Sequence, residues 1–157
     1  MDIIGKRGEA LFGAIITRWC GGQQWFDQRF LGEKAEALDF EVTLLGSSVF
    51  QASFFVQVKA TAKAKRYAGT GMGRKLLVRL TAADAKKLGS MKVPAYVVGI
   101  DVLSGVAYIQ HVPAGAKKGF VGISTRRSLN CRAIRRIWND VEDFWKSRPV
   151  GMTKSSV

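Results

Sequence analysis

Two stretches with a period of two, separated by Gly46-Ser47-Ser48, constrain this chain more than any other feature. In ALDFEVTLL, residues 37–45, Leu38, Phe40, Val42 and Leu44 fall on one side, and Asp39, Glu41 and Thr43 on the other. Residues 49–60 repeat the pattern, with Phe54, Val56 and Val58 on one side and Phe55, Gln57 and Lys59 on the other. Side chains alternate across a strand, so the two stretches read as half-buried strands joined in a hairpin. The polar side raises a question. FFVQVKATAK, residues 54–63, begins as a core strand and then sets Gln57 and Lys59 on one face.

The rest of the chain supplies helices and further strands. Residues 3–19 carry Ile4, Gly8, Leu11, Ile15 and Trp19 at helical spacing, and Gly21-Gly22 stops the helix. QQWFDQRF, residues 23–30, reads as a short strand, and LGEK as a loop. KLLVRL (75–80) is a strand, and TAADAKKLG (81–89) a short helix with Thr81 as N-cap and Asp84 three places on, a capping-box-like start. Residues 95–102 and 105–111 form a second hairpin, and VGIS (121–124) a short edge strand. Residues 128–146 close the chain as a helix, with Ile134, Ile137, Trp138, Val141 and Trp145 as its apolar stripe. This order predicts an α/β fold in which a mixed central β-sheet is flanked by helices. Residues 1–148 form a single expected domain, and 149–157 a flexible C-terminal tail.

Charge narrows the class of partner. The formal net charge is +13, which favours a polyanion. From Ala60 to Lys92 there are nine Lys or Arg and one acid, Asp84; from Lys117 to Arg136 there are seven basic residues and no acid. The basic, glycine-punctuated loop at residues 63–75 offers Lys63, Lys65, Arg66, Arg74 and Lys75 to a phosphate backbone. Arg132, Arg135 and Arg136 share one side of the last helix and extend that expectation. No apolar run is long enough to span a membrane, so none is expected as a partner. Cys20 ends one expected helix and Cys131 begins another, with no CxxC pair, so they read as buried free thiols and point to a reducing cytoplasm. The single histidine, His111, excludes HxH, HExxH and HNH-type sites.

The opening question has a chemical answer. Pairing across Gly46–Ser48 brings Asp39 within reach of Gln57 and Lys59, and Glu9 joins them if the first helix packs over the sheet. Hard cations such as Mg²⁺ or Mn²⁺ take oxygen ligands, here Asp39, the Gln57 amide oxygen, the Val58 backbone carbonyl and Glu9. Glu41 shares the face of Asp39 and is the rival ligand. Lys59 would orient the attacking water and stabilise charge on a phosphate. The bland alternative is an edge-strand lysine that blocks aggregation.

GKRGEALFGAII with Glu9, LDFEV with Asp39 and FFVQVKAT with Gln57 and Lys59 together resemble the PD-(D/E)XK nuclease-like superfamily, and most closely its small domains whose strand reads QVK. The resemblance implies a restriction-endonuclease-like fold and a Mg²⁺- or Mn²⁺-dependent nuclease acting on DNA, with RNA the alternative. Asp39, Gln57, Lys59 and Glu9 would be its catalytic set. Specificity would come from substrate structure, a homodimer or a partner protein, in restriction, defence or repair. Gln57 stands where the superfamily usually has an acidic ligand, which motivates a second expectation: a nuclease-fold module that binds nucleic acid without cutting it.

Overall fold

The computed structural model describes residues 2–32 and 37–148. The chain begins with helix α1 (Ile3–Ile16), then a small ribbon of β1 (Trp19–Cys20) and β2 (Gln23–Gln24), and strand β3 (Phe26–Phe30). The predicted hairpin follows as β4 (Phe40–Leu44) and β5 (Ser53–Thr61). Next come β6 (Tyr67–Ala68), a 3₁₀ turn (Gly71–Gly73), β7 (Lys75–Leu80) and helix α2 (Ala82–Gly89). Strands β8 (Ala95–Asp101), β9 (Val106–Val112) and β10 (Phe120–Ser124) lead to helix α3 (Cys131–Lys146). Glu33, Lys34 and Glu36 lie outside the described residues, as does the predicted tail 149–157.

A mixed five-stranded sheet runs in the order β3-β4-β5-β8-β9. Its pairs are antiparallel except β5 with β8, which are parallel. Parallel neighbours need a long crossover, and residues 62–94 supply it. That crossover carries β6, β7 and α2, and its strands pair with β10 as a second, three-stranded sheet. The alternation read from residues 37–45 holds: Phe40, Val42 and Leu44 are buried, while Glu41 and Thr43 are half-buried on the other side.

The large sheet has a core on each face. On one side, α1 and α3 cover Phe40, Val42, Phe54, Val56, Tyr96 and Ile109. On the other, β7, β10 and α2 cover Ala95, Val97, Tyr108 and Val112. Two glycines let these layers approach. A Cβ on Gly8 would lie 2.5 Å from the Ala60 Cβ, so glycine in mid-helix is what seats α1 on β5. A Cβ on Gly99 would lie 2.9 Å from Val78 Cγ2 and 3.1 Å from Ile123 Cδ1, so its absence lets the second sheet lie flat on β8.

One buried acid ties the crossover to the large sheet. Asp101, 1% exposed at the end of β8, accepts from Tyr67 Oη at 2.7 Å and pairs with Arg66 Nε at 2.7 Å. The N–H groups of Leu103 and Ser104 also donate to it, at 3.0 and 3.2 Å, which shapes the β8–β9 turn. Burial alone would raise its pKa; the bonds from Arg66, Tyr67 and Ser104 outweigh that and hold it at about 2.

Three local expectations fail. The strand expected from residue 49 begins only at Ser53, because the turn runs from Leu45 to Ala52 and closes where Leu44 N–H donates to Ala52 O. The first helix ends at Ile16, not Trp19, because the chain turns at Thr17, whose hydroxyl and N–H both close on Gly13 O. The buried stripe is then Gly8, Phe12 and Ile16, and Trp19 is 68% exposed. Nor are the cysteines free. Cys20 sits in β1 and is bonded to Cys131 at the start of α3, with Cα atoms 5.6 Å apart and 111 residues of separation. The expectation of a reducing cytoplasm loses the free-thiol argument that supported it. Cross-linking restricts the unfolded chain more as the closed loop grows. Cys131→Ser is therefore expected to cost about 2–4 kcal/mol in urea unfolding, with no thiol titrating in the unreduced, denatured wild type. Two thiols titrating there would contradict the bond.

Candidate functional site

Strand β5 is the middle strand of five, but β4 ends beside Val56, so at Lys59 only β8 flanks it. Gln57 and Lys59 face away from α1, toward α2, as the alternation requires. Gln57 is only 7% exposed, and its side chain is anchored by Nε2 donating to Asp84 Oδ2 at 3.1 Å. Lys59 Nζ stands 3.8 Å from the same oxygen. Asp84 occupies the first turn of α2, where its N–H caps onto the Thr81 hydroxyl as expected. Its carboxylate turns to β5.

Asp39 precedes β4 and is stitched to β5 twice. Its N–H donates to Val56 O at 2.9 Å, and its Oδ2 accepts from Val58 N–H at 2.6 Å. A strand residue turns its N–H and C=O to the same side, so the Val58 carbonyl also points past the start of β4, beside Asp39. Burial raises the pKa of Asp39, and the nearby Asp84 charge adds to this; the Val58 N–H and Lys59 act the other way and do not cancel it.

The structure thus brings Asp39, Gln57, Lys59 and the Val58 backbone together. It sets Glu9 differently: α1 packs on the Val58–Ala60 side of the sheet, and Glu9 lines a shallow pocket there with Gln28, Phe30 and Phe40. Glu41, the rival acid, is taken by Arg29 across β3 at 2.8 Å. Asp84 is the member that sequence reading missed, because a capping-box position explained it fully. The available signal was its isolation, one acid among nine cations from Ala60 to Lys92.

The donor set can be tested against a hard cation. Gln57 Oε1 is buried and accepts no hydrogen bond within the protein. A buried carbonyl oxygen without a donor costs about 1–3 kcal/mol, so it calls for a partner. With Asp39 and the Val58 carbonyl it makes a group of hard oxygens suited to Mg²⁺ or Mn²⁺. Among the described residues no group of three or more His, Cys, Asp or Glu is clustered to hold a metal, so amide and backbone oxygens must complete any such shell.

The expected basic surface is divided. Lys63, Lys65, Arg74 and Lys75 are exposed, but Arg66 is engaged by Asp101, and Arg74 lies 3.9 Å over the Tyr67 ring. On α3, Arg132, Arg135 and Arg136 are exposed, with Arg135 beside Gly21 and Arg136 on the opposite flank, near Tyr96. No helix among the described residues is long and apolar enough to cross a membrane. Comparisons with protein families, curated proteins and solved structures yield no match.

The charges around Asp39 make a test. In a carboxyl-carbon NMR titration, Asp39 is expected to titrate above 3.8, to fall in Asp84→Asn and to rise further in Lys59→Ala. A midpoint unmoved in the two variants would mean that the three groups do not share a site.

Proposed function

We propose that this chain is a metal-dependent nuclease of restriction-endonuclease-like fold that hydrolyses DNA phosphodiester bonds. The observation that carries the reading is the buried, unpartnered Gln57 Oε1 on the strand whose next residue, Val58, bonds Asp39, with Lys59 one place further on. The element order supports it as well: a helix, a hairpin bearing Asp39 and Gln57–Lys59, then a helix crossing to a parallel strand.

Each residue has a distinct part. Asp39, Gln57 Oε1 and the Val58 carbonyl would hold Mg²⁺ or Mn²⁺, which supplies charge neutralisation at the phosphate and a more acidic water. Lys59, half-exposed, donates hydrogen bonds to an incoming phosphate oxygen and to the attacking water, stabilising the charge that develops in the transition state. Asp84 holds the Lys59 ammonium and the Gln57 amide in register. That leaves Oε1, not Nε2, turned to the ligand position. The exposed cations of residues 63–75 and of α3 contact the backbone without reading sequence. Specificity then falls to substrate structure, a second copy or a partner protein.

A second reading rests on the same site. One carboxylate, one neutral amide and a backbone carbonyl make a weak cation site, which suits a module that keeps the fold and binds nucleic acid without cutting. One assay separates the two. Supercoiled and linear DNA are incubated with Mg²⁺ or Mn²⁺, with and without EDTA, beside Lys59→Ala. The nuclease reading expects metal-dependent cutting that falls at least about a hundredfold in the variant. Absence of cutting by wild type, with DNA still bound in EDTA, would replace it by the binding module.

A further inference from the structure

A groove of about 830 Å³ lies away from the Asp39 site. It runs between α3 and the outer edge of β9. Tyr96 and His111 are cross-strand partners whose rings lie 5.2 Å apart, and Tyr96 belongs to the α1/α3 core, on the opposite face of the sheet from Gln57 and Lys59. Phe144 and Ile137 of α3 form the facing apolar wall.

Three arginines line this groove: Arg126 and Arg127 from the segment after β10, and Arg136 from α3. Asp140 is the one acid among the described lining residues. Met72 also reaches its wall, and Thr125 holds on to Arg74 O through both its N–H and its hydroxyl, at 3.0 and 3.2 Å. The loop of residues 63–75 is thereby tied to the segment after β10 beside this groove, to whose wall it contributes Met72.

We propose that the groove binds single-stranded nucleic acid, with phosphates on Arg126, Arg127 and Arg136 and a base against the exposed ring of His111, backed by Tyr96. The proposal rests on the nucleic-acid part of the functional reading and not on cleavage. Aromatic faces beside a basic wall are what an unstacked base and its phosphate require. A duplex keeps its bases stacked inside and has none to offer that ring. An acidic peptide added as a strand fits less well. Ile109 N–H donates to Arg127 O and Leu129 N–H to Ala107 O, so residues 127–129 already cover the edge of β9 as far as Ile109. By alternation only His111 still turns its backbone outward; its carbonyl takes Gln110 Nε2, and Pro113 ends the edge.

The test is fluorescence anisotropy with a labelled oligothymidylate of ten residues, in EDTA, across a salt series. Wild type is expected to bind it, and His111→Ala to weaken binding roughly tenfold by removing the stacking ring. The double variant Arg126→Ala/Arg136→Ala should flatten the slope of log affinity against log salt by about 1.4, as two lost phosphate contacts imply. An abasic oligomer of equal length should lose affinity in the arginine variant and be indifferent to His111→Ala. His111 is exposed, so its truncation leaves the core intact, and unchanged thermal unfolding confirms that. Unaltered binding in both variants, or displacement of the oligomer by polyglutamate at equal charge, would overturn the proposal. Cleavage in Mg²⁺ with groove variants that bind like wild type would sink the groove and leave the nuclease standing. Groove-dependent binding without cleavage would do the reverse.

Discussion

After Val56, strand β5 runs on without a β4 residue beside it, and the Asp39 carboxylate takes over by accepting the Val58 N–H. Backbone donors in a sheet interior have to be satisfied, so this single bond lets the central strand outrun its neighbour without an orphaned amide. The consequences spread from there. The end of β5 opens to one side, the Val58 carbonyl and the Asp39 carboxylate meet at the opening, and Gln57 and Lys59 stand on the adjoining face. Desolvation there raises the pKa of Asp39, so the carboxylate is held in a state that gains from a nearby cation.

The same strand shows why its other face had to be apolar. Phe54 and Val56 are fully buried under α1 and α3, and Gly8 brings α1 against Ala60. Those contacts fix the position of β5 from behind. Asp84 and the crossover layer then fix its polar residues from the front. A polar set on the central strand of a sheet is costly unless each member is partnered, and here only Gln57 Oε1 is left over.

Local pattern made much of this legible. The period of two in residues 37–60 yielded the hairpin and the company of Asp39, Gln57 and Lys59, but not where its second strand begins, because residues 49–52 are held in the turn. The stripe Ile134, Ile137 and Val141 yielded α3, which begins at Cys131 rather than at 128 because the Asn130 side chain caps it by accepting from Ala133 N–H. What escaped were features set by distant contacts. Asp84 satisfied a local capping rule and so concealed a second role across 27 residues. Arg66 counted as one more exposed cation until Asp101, on a strand far along the chain, claimed it. Cys20 and Cys131 carried no spacing signal, because their bond depends on how β1 and the start of α3 meet in space. The groove beside His111 depends likewise on segments spread from Met72 to Phe144.

Asp39, Gln57 Oε1 and the Val58 carbonyl are proposed as one hard-oxygen site. Calorimetric titration of the folded protein with Mn²⁺ tests it without reference to any substrate. Binding of a single Mn²⁺ is expected, abolished in Asp39→Asn and clearly weakened in Gln57→Leu, with all three proteins unfolding cooperatively. Equal uptake by wild type and Asp39→Asn, or none by wild type, would contradict it.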